Sequence, residues 1–152
     1  MRRRVFTRAS ALRWRAMSRR SEQRRDAVFA VYQHEQTGRE LSEILDRKAS
    51  DFTRSLAHAT ADRREELDEI IGRYSEGWTI DRIAPLEKAT LRVALLEMLH
   101  PDAAPSDTPI APEGAIDQAV ELAKVYAGEK APKFVNGLLS AVLRDLKAGT
   151  LS

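Results

Sequence analysis

Pro85-Leu86-Glu87-Lys88-Ala89-Thr90-Leu91-Arg92-Val93-Ala94-Leu95-Leu96-Glu97-Met98-Leu99 is a helical run with apolar residues on more than one side. A surface helix buries a single stripe, so a run of this kind belongs in the middle of a domain. Pro85 suits a first helical turn, and Pro101 stops the helix just past His100.

Outward from this run, every neighbouring segment repeats the helical period. Upstream, Ala27, Val28, Val31 and Tyr32 form a stripe over 21–36, with Gly38 placed to end it. Leu41, Ile44 and Leu45 predict a short second helix, and Phe52, Leu56 and Ala59 a third from about Asp51. Thr60 reads as the N-cap of a fourth, because Asp62, Glu65 and Glu66 follow it and Leu67, Ile70, Ile71 and Tyr74 make a stripe that Gly72 and Gly77 weaken and end. Downstream, a sixth helix over 113–127 turns Ile116, Ala119, Val120, Ala123 and Tyr126 inward and stops at Gly128. A seventh starts at Pro132 and runs through Val135, Leu138, Leu139, Val142 and Leu146. No segment alternates with a period of two long enough to be a strand, so the fold class is all-α. Between the fifth and sixth helices, residues 101–112 hold Pro101, Pro105, Pro109 and Pro112, a loop long enough to be functional or disordered.

With 152 residues the chain makes one domain, able to bury about 70% of the surface its unfolded form exposes. It has no cysteine, which excludes a disulfide framework, a thiolate nucleophile and a cysteine metal site, and which fits a cytoplasmic protein. His34, His58 and His100 are scattered, so no metal is expected. No apolar run approaches the roughly 20 residues of a membrane span. The net charge of +2 hides an asymmetry: residues 1–25 carry ten arginines against Glu22, whereas residues 26–152 carry 15 basic and 22 acidic side chains. An acidic body with a basic arm points to a polyanionic partner at one end. Arg24 and Arg25 fall in the first turn of the 21–36 helix, where a phosphate would offset their conflict with the helix dipole.

Reactive chemistry is missing. There is no Gly-rich phosphate loop and no His-Glu-x-x-His helix, and His34-Glu35 lacks its second histidine. No Gly-x-Ser-x-Gly turn offers a nucleophile, and the carboxylates lie on helical faces as solvated charge. No catalytic residue and no cofactor are expected.

Four blocks in order resemble the NusB family of transcription antitermination factors. They are Arg24-Arg25-Asp26-Ala27-Val28-Phe29-Ala30-Val31-Tyr32-Gln33, the run from Ile83 to Leu99, Ala115-Ile116-Asp117-Gln118-Ala119-Val120-Glu121-Leu122-Ala123-Lys124, and Lys133-Phe134-Val135-Asn136-Gly137-Leu138-Leu139. The resemblance implies a seven-helix NusB-like domain over 21–147, before a short tail over 148–152; the Arg- and Ser-rich stretch 1–20, without an apolar face, reads as a basic extension that lacks order, with Met17 as an alternative start. It implies binding of the boxA element of nascent RNA together with NusE, a small-subunit ribosomal protein in a second role. NusA, NusG and RNA polymerase complete the assembly on ribosomal RNA operons, and the protein has no reaction of its own.

Carried over residue by residue, the family's arginine motif maps onto Arg19, Arg20, Arg24 and Arg25, which can supply phosphate contacts. Lys133, Phe134 and Asn136 match the Lys-Phe-Val-Asn-Gly block, with Phe134 offering a stacking face and Asn136 a base-edge partner. Phe134 also lies beside the core stripe, and Asn136 can cap or bridge a helix contact. Gly137 reads as permitting close helix packing. Tyr32, Glu87 and Arg92 match the NusE-facing side, although Tyr32 also fits a half-buried core aromatic. Three features depart from the family pattern. Ser21-Glu22-Gln23 interrupts the arginines, Lys130 adds charge where an acidic or small residue is common, and the 101–112 loop is longer than usual. Two other readings compete: a detached RNA-binding domain of the kind that precedes RNA cytosine methyltransferase domains, which a chain ending at Ser152 disfavours, and a helical interaction domain whose arm binds acidic surfaces generally.

Overall fold

The computed structural model describes residues 8–77, 79–106 and 109–151, with side chains from Arg19 onward. Among the described residues there are seven α-helices and no strand. They are α1 (Arg8–Thr37), α2 (Leu41–Ile44), α3 (Asp51–Asp62), α4 (Arg64–Tyr74), α5 (Pro85–Leu99), α6 (Pro112–Tyr126) and α7 (Ala131–Ala148), with a 3-10 turn at Ile80–Arg82. No helix among them is long and apolar enough to cross a membrane.

The expectation for α5 holds. Every residue from Ala89 to Met98 is buried, and α1, α3, α4, α6 and α7 all pack on it. Pro85 opens the helix after an extended Ala84, as the restriction on the residue before proline requires. Three polar residues come inside with the aliphatics, and each is satisfied. Thr90 Oγ1 donates back to the Leu86 carbonyl at 2.8 Å. Arg92 donates to both oxygens of Asp68 on α4, at 2.6 and 3.0 Å. Glu97 accepts two bonds from Arg24 Nε on α1, at 2.8 and 3.0 Å. No buried side-chain polar atom among the described residues lacks a partner.

Two boundaries differ from the sequence reading. α1 begins at Arg8, thirteen residues before the expected start at Ser21. The stretch 8–20 shows no apolar face, but it contains no Gly or Pro and is rich in Arg and Ala, which favour helix without any stripe. Part of the extension expected to lack order is therefore helical, residues 1–7 lying outside the described residues. Arg24 and Arg25 are consequently well inside α1, so no free N–H groups of a helix N-terminus stand beside them to receive a phosphate. Thr60 is not a cap either: it is buried within α3, its Oγ1 donating to the Leu56 carbonyl at 2.7 Å. α4 has no side-chain cap: α3, whose own N-cap Ser50 accepts from the Thr53 N–H at 3.0 Å, passes into α4 through the single residue Arg63.

The proline-rich connection, as far as it is described, lies against the body mainly through Ala104. Ala104 is buried, and Pro101, Ala103, Ser106, Pro109 and Ile110 close over the end of α5 beside Arg24 and Glu97. Gly114 makes room for it, since a Cβ there would stand 2.9 Å from Ile110 Cγ1.

Burial pushes the Glu97 carboxyl above its ordinary range, while the hydrogen bond and charge of Arg24, and after them the charge of Arg20, pull it back. Removing one member strands the other away from water. Arg24→Ala is expected to lower stability by about 3–5 kcal/mol in denaturant unfolding, and the paired change Arg24→Met with Glu97→Leu to recover most of that loss.

Candidate nucleic-acid interface

The four arginines of the N-terminal motif have different surroundings. Arg19 is exposed. Arg20 is half-exposed, with its guanidinium 4.0 Å above the centroid of the buried Phe52 ring and one N–H donated to Gln23 at 3.0 Å. Arg24 is 7% exposed and committed to Glu97. Arg25 points outward and makes a long 3.4 Å contact with the neighbouring Asp26. Arg24 is thus a fold residue, because its planar fork is filled by a carboxylate, whereas Arg19, Arg20 and Arg25 remain within reach of solvent phosphates.

At the other end of the sequence, α6 turns into α7 through Gly128, whose φ of +95° favours glycine. Lys130, Lys133 and Asn136 are exposed, and Asn136 Oδ1 accepts a weak 3.5 Å bond from Ser140 Oγ. Phe134 is half-buried in an open groove of about 290 Å³ between α7 and the end of α4, lined by Tyr74, Ser75, Glu76, Lys133, Gly137 and Leu138. Tyr74 is fixed as a wall of this groove by donating its hydroxyl to Asp145 at 2.5 Å. That bond raises the phenol pKa and lowers that of the carboxyl.

Gly137 overturns its sequence reading. A Cβ built there meets nothing within 4 Å, so no helix packs against it and its bareness serves no internal contact.

Tyr32 is half-buried against the core. Glu87 is half-buried in the first turn of α5, where loss of water raises its carboxyl pKa. Arg92, in contrast, has a side chain only 3% exposed, held by Asp68 and lying 3.8 Å from Glu35 of α1, which also binds Arg64 at 2.9 Å. It ties α1, α4 and α5 together and has no free face for a partner.

The arginines and the lysines lie on helices with different main neighbours: α1 packs on α2, α3 and α5, and α7 on α4, α5 and α6. One aromatic pair, not expected from the sequence, links α1 to the end of α6. The Phe29 ring of α1 meets the Tyr126 ring of α6 edge to face, centroids 5.0 Å apart at 83°. Tyr126 is 46% exposed, so the expectation that it faces inward is corrected. The stripe of α6 runs out one turn earlier, at the fully buried Ala123. Its position just before the Gly128 stop was the available signal.

The chain matches the model of the NusB family over residues 14–144. It is 46% identical over 100 residues to the transcription antitermination protein NusB of Carboxydothermus hydrogenoformans, a match spanning 65% of each chain. It is 37% identical over 129 residues to the corresponding protein of Rubrobacter xylanophilus, covering 81% of this chain and 88% of that one. Its fold superposes with a TM-score of 0.70 on a crystal structure of the antitermination factors NusB and NusE in complex with double-stranded RNA, at 28% identity over 84% of this chain and 98% of that one.

Because Gly137 sits in a helix interior with open space above it, Gly137→Ala is expected to raise stability by about 0.5–1 kcal/mol, seen as a higher midpoint in thermal unfolding.

Proposed function

The chain belongs to the NusB family, and from that premise we propose that it is a transcription antitermination factor that binds the boxA element of nascent RNA together with NusE. It acts in the cytoplasm, where it joins NusA, NusG and RNA polymerase on ribosomal RNA operons. It works by binding and carries out no reaction of its own.

The observation that carries this reading is the exposed start of α7, where Lys130, Lys133 and Asn136 meet solvent beside the groove that holds Phe134. Cations close to an aromatic edge and an amide suit single-stranded RNA: the cations take phosphates, the ring takes a base face, and the amide takes a base edge. Arg19, Arg20 and Arg25 extend the phosphate contacts, each neutralised phosphate adding about 0.7 to the salt slope. Arg24 and Arg92 are assigned to the fold. On the NusE side, Tyr32 offers a half-buried aromatic and Glu87 a carboxylate whose ionisation burial opposes.

The test is RNA binding by the purified protein, with and without NusE, comparing a boxA oligonucleotide with a scrambled one of equal length. Preference for boxA is expected, and equal affinities that collapse together with salt would leave only a generic basic surface. Phe134→Ala is expected to weaken boxA binding by about 5- to 150-fold while the domain stays folded, matching the loss of one stacked base. If Glu87 pairs with a cation of NusE, the complex favours the ionised carboxylate. Affinity for NusE should then fall as pH drops through the raised Glu87 pKa, and Glu87→Gln should flatten that dependence.

A further inference from the structure

α6 ends on Val125 and Tyr126, the large apolar side chains that stand out as exposed, at 66% and 46%. Apolar surface left in water at the end of an otherwise amphipathic helix contributes nothing to the core. Tyr126 is nevertheless held in place, because the Phe29 ring stands edge-on to it. An edge-to-face pair occupies at most one face of either ring, so the exposed Tyr126 keeps a face for a planar group.

The position of this pair defines what that group is. Phe29 lies four residues beyond Arg25, on the same face of α1. Tyr126 lies four residues before Lys130 and seven before Lys133. The ring pair thus ties the helix that carries the outward arginines to the end of α6, from which the chain turns into the lysine-bearing start of α7. Asp26 and Glu129 dilute the charge near this pair, and Glu121 holds Lys124 at 3.3 Å, yet Arg25 precedes Phe29 by one turn of α1 and the exposed Lys130 and Lys133 follow Tyr126 within seven residues. A fixed, exposed aromatic in a region whose two contributing segments carry outward cations suits a strand that presents both phosphates and unpaired bases.

We propose that Tyr126, braced by Phe29, is a stacking platform for an unpaired base of a single-stranded RNA that runs between the Arg25 side and the Lys130–Lys133 side. The inference rests on the RNA-binding reading above and adds to it a contact that joins its two halves.

The test titrates the full chain, Tyr126→Ala and Tyr126→Phe with the boxA oligonucleotide by fluorescence anisotropy at several salt concentrations, with sedimentation velocity on each protein. Tyr126→Ala should weaken binding by about 5- to 150-fold without changing the slope of log affinity against log salt. Tyr126→Phe should bind like the unmodified chain, since the ring is retained. Unchanged affinity in Tyr126→Ala, or a changed salt slope at the same affinity, overturns the inference while leaving RNA binding standing. Loss of self-association in Tyr126→Ala with RNA affinity intact also overturns it and makes the patch an interface between copies. Failure of the unmodified chain to bind the oligonucleotide overturns the RNA-binding reading itself, and the platform with it.

Discussion

A helix segment buried on every side cannot carry charge unless that charge is matched, and the buried part of α5, Ala89 to Met98, carries two: Arg92 and Glu97. Each is answered from a different helix, Asp68 of α4 and Arg24 of α1. Taking these ions out of water costs about as much as their pairing returns, so their net contribution to stability is small. Their effect is on register. An aliphatic stripe tolerates sliding, whereas a guanidinium whose Nε meets both oxygens of a carboxylate at 2.8 and 3.0 Å does not. α1 and α4 are therefore locked to α5 at defined points, and Glu35 reinforces the lock by facing both Arg92 and the more exposed Arg64.

The candidate interface inherits its shape from that lock. Fixing α4 sets Tyr74, which Asp145 orients as one wall of the groove holding Phe134. Fixing α1 sets Phe29, which orients Tyr126 at the end of α6. Rings and cations from opposite ends of the sequence are thus positioned by contacts to a central helix that itself has no place in the interface.

Most of the helices were legible because each buries one stripe, and α5 because it buries several. The start of α1 was not, since Arg, Ala and Leu sustain a helix over 8–20 without a stripe to announce it. Thr60 resembled a cap because threonine followed by acids is what a cap looks like, but its hydroxyl has a nearer acceptor one turn back. At the interface, Lys130, Lys133 and Asn136 could be read from their places on α7. Arg24 and Arg92 could not, because their burial depends on Glu97, 73 residues away in the sequence, and on Asp68, 24 away. Gly137 was misread for a related reason: a glycine in a helix is compatible with a close neighbour and equally with empty space, and only the fold distinguishes them.

Arg24 and Arg25 are adjacent letters with opposite surroundings, one enclosed by the proline-rich loop and Glu97, the other facing water. Under the proposed RNA-binding function, an alanine scan of the basic motif would score both as contributors, Arg25 through a lost contact and Arg24 through a damaged fold. Transfer of the motif between relatives by aligned columns carries the same confusion. The charge that a polyanion meets at this end of the molecule is smaller than the number of arginines in the motif, by the one that answers α5.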